Sequence, residues 1–277
     1  MGSQMMGGKK AEKSWIDTQS AELVNVKFPY PWETFEFKDT LDELEQKGIN
    51  LEDICAFATE TYQGWCACFL PEKYVKDMRS WSRNNSTLLI FDEVQSGFGR
   101  TGKFYAFEHY NVIPDIICCG KGISSSLPLS AVITTSRIIE PEQSFNSTHG
   151  GNPVACAASL ASVEYLIEKD LSEKSRIDGI LLEELLLNWM KERPDVIKKV
   201  YSKGLLASVF IEPIVQEDKC IFVDKLIEIA MRKGLLSVRT SSGTLKIGPP
   251  LTIPREALIE GIEILKESLL ECEKQYA

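Results

Sequence analysis

Two segments of this 277-residue chain run an apolar stretch straight into a charge. LLIFDEVQSGFGRTG leads into Asp92 and Glu93, and DIICCGKGISSSLPLSAV leads into Lys121, which stands between Gly120 and Gly122. Short apolar runs of this kind read as buried strands, and in open α/β sheets ligands bind in the crevice outside the carboxyl ends of the strands. Side chains alternate along a strand, so only one of the two acids can face the crevice in company with Ile90. Asp92 is then either a crevice carboxylate or merely the cap of the following turn. Lys121 is either an exposed loop residue or an amine in a partly desolvated crevice, where it becomes nucleophilic. Its flanking glycines allow close backbone approach by a ligand. If the two strands are neighbours, one crevice holds a carboxylate and an amine. That combination fits pyridoxal phosphate, whose aldehyde needs a lysine and whose pyridine nitrogen needs an acidic partner.

The elements that must hold these residues follow an alternating pattern. Strand-like runs at 54–59, 87–91, 116–119 and 131–134 are separated by segments of helical period, as in a mostly parallel sheet with helices on its faces. Between the first two, Pro71 opens a helix that Asn84 and Asn85 stop, completing a βαβ unit. Asn152 and Pro153 open a long helix as N-cap and first helical residue. After Asp170 strands and helices mix: a helix near 171–191, a strand in LLASVFIE, a helix near 222–233, two short strands in LLSVRT and TLKIGPP, and a closing helix from Arg255. The expected division is therefore a large domain over residues 1–168 and a smaller α+β domain over 169–277.

Composition narrows the function classes. The net charge of −9, with no basic stripe, argues against nucleic acid, and no apolar run approaches the ~20 residues of a membrane span. The eight cysteines sit largely in or beside apolar segments, as buried thiols of a reducing cytoplasm do. No CxxC pair occurs and the histidines, His109 and His149, are far from the cysteines, so no metal site is expected. The N-terminal MGSQMMGGKK carries neither a secretory nor a myristoylation signal. The expected location is the cytoplasm. A GxGxxG dinucleotide fingerprint and a GxSxG nucleophile elbow are both missing.

Four segments in order, DEVQSGFGRTG, CGKGISSSLPLSAV, THGGNPVACAAS and IGPPLTI, resemble class III aminotransferases, the group containing the 4-aminobutyrate and ornithine enzymes. The resemblance runs from about residue 53 to the C-terminus. It implies a fold-type I transferase with pyridoxal 5'-phosphate as cofactor, a small-molecule amino donor, an oxo-acid acceptor and a homodimeric assembly. It further implies that Lys121 forms the Schiff base and moves the proton, and that Asp92 pairs with the pyridinium nitrogen. Val94 would lie on one face of the ring and Gln95 would bond its phenolic oxygen. Thr148 would reach the phosphate of the neighbouring subunit, and Glu60 would stand near the substrate. His149 reads as a loop residue, and Arg100 as a tie between loops through ion pairs.

The chain also departs from that family. An arginine before the PPL segment and a glutamate after the QG pair are replaced by Lys246 and Trp65. Lysine cannot reproduce a planar bidentate fork, and tryptophan adds bulk without charge. A substrate pocket suited to a bulkier or less acidic amine is expected. Nothing before residue 53 resembles the family's glycine-rich phosphate segment or its aromatic-His-Gly motif. The chain therefore reads as an N-terminally truncated piece, with a separate N-terminal half as a further partner. A non-catalytic remnant of the same fold, or an aminomutase or racemase using the same lysine and aspartate, are the alternatives.

Overall fold

The computed structural model describes residues 2–7, 13–16, 22–141 and 147–276. In chain order the elements are α1 (Gly2–Met6), α2 (Phe37–Gln46), β1 (Ala56–Glu60), β2 (Tyr62–Gln63), β3 (Cys68–Phe69), α3 (Glu72–Asn84), β4 (Leu88–Asp92), β5 (Ile116–Cys119), β6 (Ala131–Thr134), α4 (Ser136–Ile139), α5 (Pro153–Glu168), α6 (Leu171–Glu192), β7 (Ile197–Lys203), β8 (Leu206–Ile211), α7 (Lys219–Arg232), β9 (Val238–Arg239), β10 (Thr244–Ile247) and α8 (Arg255–Lys274).

The first sheet has the order β1-β4-β5-β6. β1 pairs with β4 and β4 with β5 in parallel, while β6 closes the edge antiparallel to β5. This is the mostly parallel α/β arrangement that the alternating pattern predicts. The βαβ unit is present as β1-α3-β4, with Pro71 at the N-cap of α3 and Asn85 at its C-cap. α3 turns Tyr74, Val75 and Met78 onto Leu89 and Phe91 of β4, and Phe37 of α2 joins the same cluster. Phe37 meets Phe57, Tyr74 and Trp81 edge-on with centroids 5.4, 5.5 and 6.1 Å apart. Such pairs each contribute about 0.5–1.5 kcal/mol beyond their buried area. Asn152 caps α5 by accepting from Val154 N and Ala155 N, with Pro153 at the first helical position.

The second sheet, β7-β8-β10-β9, is antiparallel throughout. One face carries α6, α7 and α8 around Leu182, Leu186, Trp189, Val209, Leu226, Leu245 and Leu265, all almost wholly buried. Trp32 packs over the opposite face, 5.8 Å from the Tyr201 ring and 5.2 Å from Phe210, with Lys199 Nζ 4.5 Å from its own centroid. Two glycines let α6 meet the turn between β7 and β8. A Cβ on Gly179 would stand 2.5 Å from Gly204 Cα, and Gly204 itself adopts φ +55° against the backbone of Thr101.

Arg100 joins the two sheets, although not as expected. Its Nη1 donates to the carbonyls of Leu205 and Pro249, and the Arg100 carbonyl accepts from Leu205 N and Ser175 Oγ. Backbone carbonyls, rather than ion pairs, hold this guanidinium, because the charge is sunk where the β7–β8 turn presents unpaired acceptors. The cysteines also divide: Cys66, Cys68, Cys119 and Cys272 are buried, but Cys55 and Cys156 are exposed. Among the described residues no helix is long and apolar enough to cross a membrane.

Candidate active site at the strand ends

Parallel pairing puts three strand ends side by side. Glu60 of β1 is the register partner of Asp92 of β4, and Asp92 is the partner of Cys118 of β5, three residues before Lys121. The chain brings these groups together because each apolar run stops at the same level of the sheet. Alternation then separates the two adjacent acids. Asp92 is exposed on the side of Ile90, whereas Glu93 turns inward and is fully buried.

Glu93 does structural work that sequence reasoning did not assign to it. Its carboxylate accepts from Thr61 Oγ1 at 3.0 Å, Ser96 Oγ at 2.7 Å, Ala106 N at 3.0 Å and Phe107 N at 2.9 Å. A buried carboxylate is tolerable only with such a set of donors. These bonds tie the loop after β4 to the 3₁₀ turn Ala106–Tyr110 and so fix the backbone from which Asp92 projects. The adjacent acidic pair in the sequence is the only signal for this role, since the donors lie up to 32 residues away.

Asp92 caps the following turn and stays accessible. Oδ1 accepts from Val94 N at 2.8 Å, closing a local turn, yet the carboxylate remains exposed at the strand end. Val94 is half-buried against the β5 end, where a Cβ on Gly120 would stand 3.1 Å from Val94 Cγ1. Gln95 lies across from Gly64, whose added Cβ would fall 2.4 Å from Gln95 Oε1. Gly64 N donates to Glu60 Oε2 at 2.9 Å, so Gln95, Gly64 and Glu60 occupy one corner.

Glu60 is half-buried and senses its neighbours. Burial raises its carboxyl above the usual range and the Asp92 charge adds to that, while the Gly64 N–H, Lys121 and Lys246 oppose it. Lys246, on β10, is drawn into the same group from the second sheet. Burial lowers its ammonium below the ordinary lysine value, Lys121 pushes the same way, and Glu60 counters. Lys246 Nζ lies 5.9 Å from the centroid of Tyr62, a buried residue whose hydroxyl has no hydrogen-bond partner. Tyr62 went unnoticed in the sequence because a tyrosine beside QG carries no pattern of its own.

Lys121 is exposed, so the desolvated surroundings expected of a nucleophilic amine are not supplied by the chain by itself. It begins the 3₁₀ turn Lys121–Ile123 with φ +42°, a left-handed conformation that costs a side-chain-bearing residue about 1–3 kcal/mol. Trp65 is 40% exposed at the tip between β2 and β3. Thr148 and His149 are exposed in the turn before α5. Glu60, Asp92, Lys121 and Lys246 thus share one electrostatic neighbourhood, Val94, Gln95 and Trp65 border it, and Thr148 presents itself to solvent.

Known proteins are similar to this chain in sequence and in fold. The chain matches the Aminotransferase class-III family over residues 5–269. It is 34% identical over 230 residues to a 4-aminobutyrate aminotransferase of Mycobacterium leprae, covering 81% of this chain and 51% of that protein. It is 33% identical over 244 residues to the mitochondrial ornithine aminotransferase of Rattus norvegicus, covering 86% and 53%. A transaminase from the marine bacterium Virgibacillus superposes with a TM-score of 0.88 at 26% identity over 100% of this chain and 66% of that one. An S-selective transaminase from Arthrobacter sp. gives 0.78 at 30% identity, over 86% and 56%. The chain spans about half the length of the curated relatives it matches. With a family match across most of its residues and a shared fold, this chain belongs to the class III aminotransferase family.

Proposed function

We propose that the chain carries the lysine, the acid and the substrate-facing residues of an enzyme that transfers an amino group from an amine or amino acid to an oxo acid with pyridoxal 5'-phosphate. The observation that supports this most is the pairing of the β1 and β4 ends, which sets Glu60 beside Asp92, with Lys121 just past the end of β5 and Lys246 of the second sheet acting on the same group. The donor set suits the cofactor: a carboxylate for the pyridine nitrogen, a primary amine for the aldehyde, and a half-buried valine and a glutamine amide between them. When bound, the cofactor supplies an electron sink for the bond broken at the substrate's α-carbon.

The roles proposed for the chain's own residues are those that the family resemblance implies. Lys121 Nζ would hold the cofactor's aldehyde and, as a free amine, would take and return the proton at the substrate's α-carbon. Asp92 keeps the ring nitrogen protonated, and Glu93 keeps Asp92 in place. Val94 backs one face of the ring and Gln95 donates to its phenolic oxygen. Glu60, Lys246 and Trp65 face the substrate. Lys246 offers a single point charge and Trp65 a flat apolar wall, which suits an amine bulkier or less acidic than 4-aminobutyrate or ornithine. Donor profiling tests that part: either of those two amines as clearly the best donor would defeat it.

The partner surface is part of the reading. α5 leaves Val154, Leu160, Tyr165 and Ile167 exposed on more than one side of the helix, apolar surface of the kind usually covered. A second copy of the chain, with Thr148 reaching across to the cofactor phosphate, or a separate N-terminal half would cover it. The proposed division into two domains near residue 169 follows the change of core from the first sheet to the second. Free thiols throughout fit the cytoplasm.

The deciding experiment adds pyridoxal 5'-phosphate to the purified chain, reduces with borohydride and maps the modified lysine by peptide mass. Label concentrated on Lys121 and lost in Lys121→Ala is the expected result. Label scattered over surface lysines would remove the proposal's foundation.

A further inference from the structure

The turn that carries Trp65 holds a second chemical pair that the aminotransferase reading does not use. Cys66 and Cys68 are both buried, and their sulfurs lie 2.8 Å apart. That is about 0.8 Å longer than a disulfide bond. The backbone forces the approach. Ala67 between them takes φ +57°, which folds the two flanking side chains to one side, and Ala67 N donates to Gln63 O at 2.9 Å to close the turn. The turn is anchored from outside as well, since Ser208 Oγ of β8 donates to Ala67 O at 2.6 Å. Cys66 Sγ reaches Gln63 O at 3.9 Å, and Tyr62, Phe69 and Leu206 pack around Ala67. Two thiols already held in contact by a rigid turn have lost the freedom that ordinarily opposes their joining.

We infer that Cys66 and Cys68 form a reversible disulfide on exposure to peroxide, making the Trp65 turn a modification site. Cys66 and Cys68 are almost wholly buried while Trp65, in the same turn, is 40% exposed, so the oxidant is taken to be a small one. One sulfur of the pair, as thiolate, attacks one peroxide oxygen, breaking the O–O bond and becoming a sulfenic acid, while the departing hydroxide takes a proton to form water. The other sulfur then displaces the sulfenic hydroxyl, and its own proton leaves with that hydroxyl as a second water. Two thiols lose two electrons and two protons, and one peroxide becomes two waters.

Glutamyl endopeptidase releases residues 61–72 as one peptide that contains these two cysteines and no other, with Cys55 left on the preceding peptide. After folded protein is treated with hydrogen peroxide and unfolded in alkylating reagent, this peptide is expected to be lighter by two hydrogen atoms and to carry no alkyl group. It should give no backbone fragments between residues 66 and 68, and dithiothreitol should restore both alkylatable thiols. Cys66→Ser and Cys68→Ser should each abolish the loss. The inference is overturned if the wild-type peptide keeps two free thiols, acquires only sulfinic or sulfonic oxygen, or is found joined to the Cys55 peptide. The readout is a mass, so it stands or falls without reference to cofactor binding at Lys121.

Discussion

The two sheets of this molecule are built to different standards of closure. The second sheet is sealed: in β8, Leu206, Ala207, Val209 and Ile211 are almost wholly inaccessible, and α6, α7 and α8 complete a continuous core. The first sheet is open at its far edge. In β6 both Val132 and Ile133 are exposed, at 52% and 45%, although alternation points them to opposite faces. The charged groups of the proposed site lie on the open sheet and its border, with Lys246 the one contribution from the sealed side. Stability is concentrated in one half and reactive groups in the other, as expected where binding residues are carried by connections on a rigid scaffold.

The sharpest way to break this contrast is to attack the sealed half. Gly179→Ala places a Cβ 2.5 Å from Gly204 Cα, a backbone atom that cannot swing aside. Overpacking of this kind costs about 3 kcal/mol. Trp189→Ala, which empties the largest fully buried side chain, should cost ~3–5 kcal/mol. Urea titration followed by circular dichroism measures both. A loss below ~1 kcal/mol in each would mean that the second sheet is not the stable half.

The next test concerns the joint between the halves. Arg100→Ala strips donors from the Leu205 and Pro249 carbonyls and should cost about 2–3 kcal/mol. Arg100→Lys should recover only part of it, because both bonds come from the one nitrogen Nη1 at the end of the arginine, and the shorter lysine does not carry its ammonium as far. If the joint is what couples the sheets, the Arg100→Ala transition should also broaden or split, with near-ultraviolet signals of the open half lost first. A single sharp transition at the wild-type midpoint would mean that other contacts carry the coupling.

What the sequence disclosed follows the same division of physics. β4 and β5 were legible because each is an apolar run ended by a charge, and the N-cap of α5 because Asn152 and Pro153 use local chemistry. β7, IKKVYSK, escaped notice: it is lysine-rich and mostly half-buried, with Lys199 accounted for only by the Trp32 ring it meets from far away in the chain. The α2 helix, FKDTLDELEQ, lies before residue 53, where no element was expected, yet its apolar face lands on α3. The hairpin β2–β3 has strands of two residues each, too short for any period to register. In the site, Asp92 and Lys121 could be found from strand ends alone. Glu93 as scaffold and Tyr62 beneath Lys246 depend on partners that only the fold supplies.

Acid should distinguish the halves as well. Asp178 of α6 is nearly inaccessible and pairs with Lys174 at 2.5 Å and Arg255 at 2.8 Å, linking α6 to the start of α8. Burial alone would raise its carboxyl, but the two cations outweigh burial and hold it below the usual range. A carboxyl depressed in the folded state contributes stability that is present above its unfolded value, near pH 4, and is lost as pH falls through the folded value. Asp178→Asn should therefore cost ~1–2 kcal/mol at pH 7 and flatten the fall in stability below pH 4. Equal slopes for wild type and variant on the acid limb would show that this pair contributes nothing to the sealed half.

The smallest expected effect tests the openness of the first sheet. Ile133→Thr keeps the β-branched shape that suits a strand and replaces a methylene-bearing arm with a hydroxyl. With 45% of Ile133 accessible, that hydroxyl can reach water, and the stability of the isolated chain should change by no more than ~0.5 kcal/mol. The same substitution serves as a probe of association. If the loss exceeded ~2 kcal/mol, and grew with protein concentration, Ile133 would be covered in solution by a second copy, because only a stability coupled to assembly depends on concentration. Urea midpoints at two widely separated protein concentrations therefore decide whether β6 is an open edge or one half of an interface, and with it whether the contrast between the sheets belongs to the chain or only to the chain without its partner.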